Sequence, residues 1–222
     1  MPRGISPGDG PAIRPSTSRA CRGAFACYGC GLLARKNDRR QAKGVSFVEL
    51  VKLLKNHRKK RPFSGLSEPA EGLLSQNLLP TAWYPFVPVA ELIELSYREL
   101  LRGSADAALQ MGIAGGTHAL RTYHKGFIRP GDPLASLLAM RRTWALYFDF
   151  GELTTTQQGE RSVEFVLEGY PDISAAHGPM VVGWHRAAGL VAGAKSLRGE
   201  IIECPWTDGA STLIHRVEFD VQ

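Results

Sequence analysis

The chain has 222 residues, of which 44% are hydrophobic and 22% charged, as in an ordinary globular protein able to bury a sizeable core. Its charge is uneven, because residues 1–62 carry 15 Lys and Arg against three acids, whereas residues 63–222 carry 12 against 18. No run of 18 apolar residues and no apolar N-terminal signal core occurs, which argues against a membrane span and against secretion.

Residues 1–42 are predicted to be a disordered basic leader. Four prolines and few apolar residues leave this segment unable to offset the entropy of ordering. An alternative is that the leader is upstream sequence translated from a misassigned start, with the natural protein beginning near Lys43 or Val45. Its Arg and Ser content is also similar to that of an organelle transit peptide, although it lacks an amphipathic face.

From Gly44 onwards the pattern predicts a helical half. Ser46 and Glu49 match the capping box Ser-x-x-Glu, and apolar residues then recur at helical spacing up to a stop at Pro62. Further helices are predicted over 68–76, from Pro88 to Gly103, from Ser104 onwards and from the N-cap Asp132, with Trp83, Tyr84 and Pro85 forming a rigid corner between the first two.

The helix after Ser104 has a face of small residues, namely Ala108, Gly112, Gly115 and Ala119. Glycines that cradle a phosphate stand between a strand and a helix, whereas these lie within a helical pattern. They therefore predict close packing against another backbone.

The last third predicts two antiparallel hairpins on either side of a helix. Alternating residues indicate strands over 144–153 and 162–170 with a turn at 157–159, and over 199–206 and 212–221 with a turn at 207–209. The helix between them is predicted over 178–194. The fold class is therefore α+β, in which residues 43–222 form one domain with a helical N-terminal half packed on a four-stranded antiparallel sheet.

The chemistry-bearing residues form no catalytic constellation. Cys21, Cys27 and Cys30 are able to supply three thiolates to zinc, but a structural site needs four ligands and no second pair follows. None of the six histidines stands in a metal motif. We therefore predict no catalytic residue, no metal and no cofactor, and whether the three clustered cysteines bind metal stays open.

Short motifs in a fixed order resemble a myxobacterial paralogous family. They are Lys43-Gly44 before Phe47, Trp83-Tyr84-Pro85 before a Leu-rich helix, Gly112 in an Ala/Gly helix, Gly131-Asp132-Pro133, and Tyr147-Phe148-Asp149-Phe150-Gly151. Together with the final hairpin, helix and hairpin, they cover about four-fifths of the chain.

This family is similar to a superfamily of ligand-binding domains that includes the haem nitric-oxide/oxygen sensors, the vinyl-reductase-like sensor domains and the trafficking subunits of the TRAPP complex. The resemblance implies binding of small ligands, lipids or partner proteins between helices and sheet, and often dimerisation. The Tyr-x-Ser-x-Arg motif that holds the haem propionates is absent here, and only Cys204 matches the C-terminal metal-ligand cysteines of the vinyl-reductase-like domains. The resemblance thus implies a fold more than an activity.

We therefore expect a non-enzymatic, cytoplasmic sensing or interaction domain, bacterial and involved in signalling, that takes a small apolar ligand and forms a homodimer or binds a partner protein. The residues predicted to line its ligand pocket, chosen as large and partly polar groups, are Trp83, Tyr84, His118, Tyr123 and Trp184. The alternative function is binding of nucleic acid or an anionic surface through the basic N-terminal segment, which includes the stretch 58–61; no recognition-helix pattern accompanies that segment.

Overall fold

The structure is a computed structural model, and it describes residues 38–170, 172–208 and 210–221. Its helices are α1 (Val48–Arg58), α2 (Glu68–Ser75), α3 (Phe86–Glu99), α4 (Ala105–Thr122), α5 (Pro133–Ala139), α6 (Trp144–Tyr147), α7 (His177–Val191) and α8 (Pro205–Asp208). Its strands are β1 (Gln41–Lys43), β2 (Trp83–Pro85), β3 (Glu152–Gly159), β4 (Ser162–Glu168), β5 (Ser196–Glu203) and β6 (Leu213–Asp220).

Strands β3 to β6 form an antiparallel sheet in the order β3-β4-β6-β5. One face is apolar, because alternate residues of β4 and β6 are buried. On that face Val163 pairs with Val217 and Phe165 with His215. Helices α5 and α7 contact the sheet. The predicted α+β class, with two hairpins flanking one helix, is confirmed.

The first predicted strand begins later than expected. Trp144 and Tyr147, predicted to lie in a strand, belong to the helical turn α6, in which both are buried on one side. The Trp144 indole N–H donates to the carbonyl of Phe150 at 2.7 Å, and Gly151 then takes a φ of 71° before β3 begins at Glu152. The alternation of Trp144, Leu146, Phe148 and Phe150 predicts a strand, but the helical spacing of Trp144 and Tyr147 describes this segment correctly.

Both predicted hairpin turns also shift. Gln157 and Gly159 remain paired within β3, so the first turn falls at Glu160 and Arg161. In the second hairpin, the helical turn α8 (Pro205–Asp208) occupies most of the predicted turn, and residue 209 lies outside the described residues.

The ordered domain begins before residue 43. Strand β1 pairs with β2, so the predicted aromatic corner at 83–85 is a strand. Just before β1, Arg40 binds the carboxylates of Asp38 and Asp172, and its guanidinium lies over the rings of Phe86 and Phe150 at 5.4 and 5.1 Å. Residues 38–42 are therefore part of the domain rather than of the leader, and residues 1–37 lie outside the described residues.

The predicted capping box does not form. Ser46 lies in a short 3-10 helix, and its hydroxyl donates to the carbonyl of Lys43 at 2.7 Å. Glu49 instead pairs with Lys52. The other predicted helix caps are confirmed, since Ser104 and Asp132 accept backbone N–H groups at 3.2 and 2.9 Å.

Helices α4 and α7 make the closest helix contact. A Cβ atom added to Gly112 would lie 2.0 Å from the carbonyl oxygen of Met180, and one added to Gly183 would lie 2.1 Å from that of Leu109. Only residues without a side chain permit this approach. The predicted close packing of the small face of α4 is confirmed at Gly112.

Candidate ligand cavity

A cavity of about 450 Å³ lies between α1, α3, α4 and α7. Ligand pockets in proteins commonly measure about 300–1,000 Å³. Apolar side chains from all four helices form much of its wall: Leu50, Leu53, Val89, Ile93, Met111, Met180 and Val181. The segment 143–148 contributes Trp144, Tyr147 and Phe148. The space is therefore largely apolar and within the size range of small-ligand pockets.

The cavity opens between α1 and the C-terminal end of α4. Leu53 on α1 is 49% exposed and Tyr123 after α4 is 60% exposed, although both line the cavity. Between them, the lining residue Glu49 pairs with the ammonium group of Lys52 at 2.7 Å. The exposed residues of the lining thus lie on α1 and the segment before it and on α4 and the residue after it, and they include Leu53, Tyr123 and the ion-paired Glu49.

Gly115 leaves the α4 wall unfilled. A Cβ atom at this position would have no neighbour within 4 Å, whereas one at Gly116 would lie 2.8 Å from the Cβ atom of Ala187. Gly115 was predicted to pack against a backbone, and that prediction is wrong because residue 115 faces the cavity while residue 116 faces α7.

Helix α7 supplies a polar but uncharged wall. His177 and His185 line the cavity and are 8% and 2% exposed. The first forms a 2.9 Å hydrogen bond with the Tyr170 hydroxyl, and the second a 2.9 Å hydrogen bond with His215. Burial lowers the pKa of His177 to about 4 and that of His185 to about 3. Both imidazoles are therefore neutral at pH 7.

Tyr147 brings a buried hydroxyl to the same wall. The residue is 6% exposed, its hydroxyl has no hydrogen-bond partner among the described residues, and burial raises its pKa. The rings of His124 and Trp184 stand edge-on to its ring, with centroids 5.2 and 5.4 Å away. The hydroxyl is thus held protonated by an aromatic environment.

Three of the five predicted pocket residues meet at the cavity. His118, Tyr123 and Trp184 line it, and the rings of the first two lie 6.0 Å apart. Trp83 and Tyr84 do not line it, because strand β2 holds them elsewhere.

Each of these two β2 residues has a structural contact instead. The Lys43 ammonium group lies 5.4 Å from the ring of Trp83. The Tyr84 hydroxyl accepts the Leu79 N–H at 2.8 Å, and its ring stands edge-on to Phe47, which itself lines the cavity. Tyr84 therefore supports the wall from behind.

Sequence reasoning missed Glu49, Tyr147, His177 and His185. The helical spacing of Trp144 and Tyr147 was a usable signal for the segment 143–148. No local pattern marks the two histidines, because only the packing of α7 brings them to the cavity.

The described ranges contain no group of three or more His, Cys, Asp or Glu arranged to hold a metal ion. Cys21, Cys27 and Cys30 lie outside those ranges. Cys204 is buried, and its Sγ lies 2.6 Å from the Thr207 hydroxyl. Within the same ranges, no helix is long and apolar enough to cross a membrane.

Part of the basic segment has structural partners. Arg40 is held by Asp38 and Asp172, and Arg58 pairs with Glu71 at 2.5 Å. Arg35 and Lys36 lie outside the described residues. Two of the cations considered for phosphate contact are thus engaged within the domain.

No protein-family model matches the sequence, and a search of curated proteins gives no match. Among solved structures, the chain is similar to H-NOX domains. An oxygen-binding H-NOX domain related to soluble guanylate cyclases, in its oxygen complex, has a TM-score of 0.54 at 13% identity, covering 80% of this chain and 95% of that chain.

Two further H-NOX structures give the same result. A mutant of T. tengcongensis H-NOX has a TM-score of 0.52 at 13% identity over 80% of this chain and 97% of that chain. A mutant of the K. algicida H-NOX protein in its Fe(II) unliganded state has a TM-score of 0.52 at 14% identity, covering 80% of this chain and 96% of that chain. At such low identity the likeness shows that this chain shares the fold of H-NOX domains.

Proposed function

We propose that the chain is a non-enzymatic sensing domain that binds a small ligand in the cavity between α1 and α4. The observation that carries this proposal is the cavity itself, about 450 Å³ of apolar-walled space. Protein interiors are close-packed, and unfilled space lowers stability in proportion to its volume. Gly115 lies in this wall at an exposed position and adds no side chain to the space. A ligand that fills the cavity would therefore stabilise the fold.

The polar groups of the wall favour binding over catalysis. The hydroxyls of Ser46 and Thr143 donate to backbone carbonyls at 2.7 and 2.6 Å, and His177 and His185 are hydrogen-bonded to buried aromatic residues. Catalysis requires a nucleophile or base that is free to engage substrate. These four groups are engaged within the fold, and the Tyr147 hydroxyl, which has no partner among the described residues, is kept protonated by burial and does not supply a base.

Haem does not fit the lining that the structure describes. One imidazole, that of His118, stands on the wall without a hydrogen bond to the core, so a nitrogen donor is present. Two propionates need cations, however, and the described lining residues include no Lys or Arg. The binding of haem by the structural neighbours is therefore not transferred to this chain.

Helix α7 is suited to transmit occupancy. It contacts the cavity through Trp184, packs against α4 at Gly183, and reaches the sheet through the hydrogen bond between His185 and His215. A ligand that displaces α4 would therefore shift α7 and its contact with β6. We propose that the binding of a second copy of the chain or of a partner protein responds to this shift of α7.

A fluorescence titration tests the binding step. The probe is N-phenyl-1-naphthylamine, an uncharged apolar dye that brightens when it leaves water. We expect saturable binding of about one probe per chain and a loss of about tenfold or more in affinity for Gly115→Leu, because the new side chain occupies the cavity.

Gly72→Leu is the matched control. Gly72 is also helical and has no atom within 4 Å of an added Cβ, but it does not line the cavity. We expect this variant to bind the dye like the wild type. Equal binding by Gly115→Leu and the wild type, or no saturable binding by the wild type, would overturn the proposed function.

A further inference from the structure

The charge among the residues that line the cavity is one-sided, although Lys52 stands beside them in an ion pair with Glu49. Among the described residues that line it, Glu49 is the only carboxylate, and none of them is Lys or Arg. An anionic group entering the cavity therefore meets no positively charged wall. In an apolar environment an unpaired charge is strongly disfavoured.

The deep end of the cavity offers no hidden cation either. His177 and His185 are the buried basic groups of the wall, and burial lowers the pKa of each well below neutrality. A nearby anion would raise these pKa values only by overcoming the burial of both rings. The interior of the cavity is thus suited to the uncharged part of a ligand, while a charged head group has to remain at the mouth.

At the mouth, Glu49 lines the cavity, whereas its ion-pair partner Lys52 does not belong to the lining residues. The Lys52 ammonium already binds Glu49 Oε1 at 2.7 Å, and both side chains are about 60% exposed. A carboxylate head group would have to compete with Glu49 for this ammonium. A cationic head group would instead gain a second cation–carboxylate contact at Glu49.

From this arrangement we propose that the cavity takes amphiphiles with an apolar body and a neutral or cationic head group, and that Glu49 at the mouth selects against anionic ones. This inference rests on the ligand-binding function proposed above. It separates the site from pockets that hold fatty acids or other carboxylates through a lysine or arginine.

Three competitors with the same chain length test the selection: 1-decanol, decyltrimethylammonium and decanoate. Each competitor is titrated against N-phenyl-1-naphthylamine bound to the full chain at pH 7.5, and its concentration is kept below its critical micelle concentration. We expect decanoate to compete about tenfold or more weakly than 1-decanol, since its carboxylate cannot enter the apolar interior and meets at the mouth an ammonium group that Glu49 already binds.

Two variants assign the selection to Glu49. Glu49→Gln should lower the affinity for decyltrimethylammonium by about threefold or more, a loss typical of one solvent-screened charge contact. The affinity for 1-decanol should not change. Glu160→Gln removes an exposed carboxylate in the β3–β4 turn, far from the lining residues, and should change neither competitor.

The outcomes separate the two proposals. If the dye binds and Gly115→Leu blocks it, but decanoate competes as well as 1-decanol, the charge selection is wrong and the ligand-binding function stands. The selection is also wrong if Glu49→Gln leaves decyltrimethylammonium unaffected. If the dye fails to bind, the proposed function itself fails.

Discussion

The imidazoles of His185 and His215 meet in the layer between α7 and the sheet, with 2.9 Å between Nδ1 of the first and Nε2 of the second. Phe165, which is paired with His215 across β4 and β6, stacks on both rings at centroid distances of 4.7 Å. One ring N–H donates to the lone pair of the other ring. This bond needs one bare nitrogen, so it is lost when both rings are protonated, and burial of the rings disfavours even the first extra proton.

The first prediction is that folding stability falls as the pH drops below about 6.5. Burial lowers the pKa of both His185 and His215, so the unfolded chain binds protons in this range and the folded chain does not. Each imidazole then contributes a slope of about 1.4 kcal/mol per pH unit. Urea denaturation between pH 8 and pH 5 measures the slope.

The double variant His185→Leu/His215→Leu tests that assignment. It removes both titrating groups together, so neither is left unpaired. Its stability should depend on pH less steeply than that of the wild type in the same range. An equal slope in the two proteins would show that the acid sensitivity originates elsewhere.

The second prediction contrasts two glycines of α4. Gly112→Ala should destabilise the fold by about 1–3 kcal/mol, the cost of overpacking, since its Cβ would collide with the Met180 carbonyl. Gly115→Ala should be neutral or stabilising by up to about 1 kcal/mol, because alanine favours the helix and meets open space. Urea midpoints give both values. Equal losses would contradict the placement of Gly115 on the cavity.

The third prediction concerns Arg40. Arg40→Met should destabilise the domain by about 1–3 kcal/mol, because it leaves Asp38 and Asp172 without this partner and uncovers Phe86. The Arg40 guanidinium lowers the pKa of Asp172 in the folded state. The contribution of the Arg40–Asp172 pair to folding stability is therefore fully present above the unfolded pKa of the carboxyl group, about 4, and is lost as the pH falls below that value.

A double-mutant cycle of Arg40→Met and Asp172→Asn isolates this pair. At pH 7 it should give a favourable coupling, which shrinks at pH 3 because the carboxyl group of Asp172 is then largely protonated in the unfolded chain and has to lose that proton to form the pair. Additive losses at both pH values would show that Arg40 stabilises the domain through Asp38 and its ring contacts rather than through Asp172.

The fourth prediction is that Tyr147→Phe costs no stability. The Tyr147 hydroxyl is buried and has no partner among the described residues, so its removal deletes a desolvated group and leaves no other group unpaired. Urea denaturation should show a change within about 0.5 kcal/mol or a gain. A loss of the size of a broken hydrogen bond would mean that the hydroxyl is paired.

The sequence predicts the order of helices and strands well because local signals encode it. Ser104 and Asp132 cap helices as expected, and the alternation of Val163, Phe165 and Leu167 marks a central strand. The errors arise where a local pattern has two interpretations. Trp144 and Tyr147 fit a strand or a helical turn, and only their packing decides.

The cavity is less predictable than the fold. Gly112, Gly115 and Gly116 look equivalent in the sequence, yet the first and third contact α7 and the second faces open space. His118 and Tyr123 are predicted as large, partly polar groups near helix faces, and both line the cavity, whereas the pattern around Glu49 predicts a helix cap. The resemblance to a myxobacterial family, cytoplasmic location and dimerisation stay predictions.

Hydrogen exchange, measured by mass spectrometry with and without N-phenyl-1-naphthylamine, tests the central claim most directly, because it locates the bound molecule on the chain. Occupancy of the cavity predicts slower exchange in residues 45–53 and 111–123, a smaller change along α7, and none in the outer strand β3. Slowing confined to the sheet, or none in either helical segment at saturating dye, would contradict a ligand site between α1 and α4.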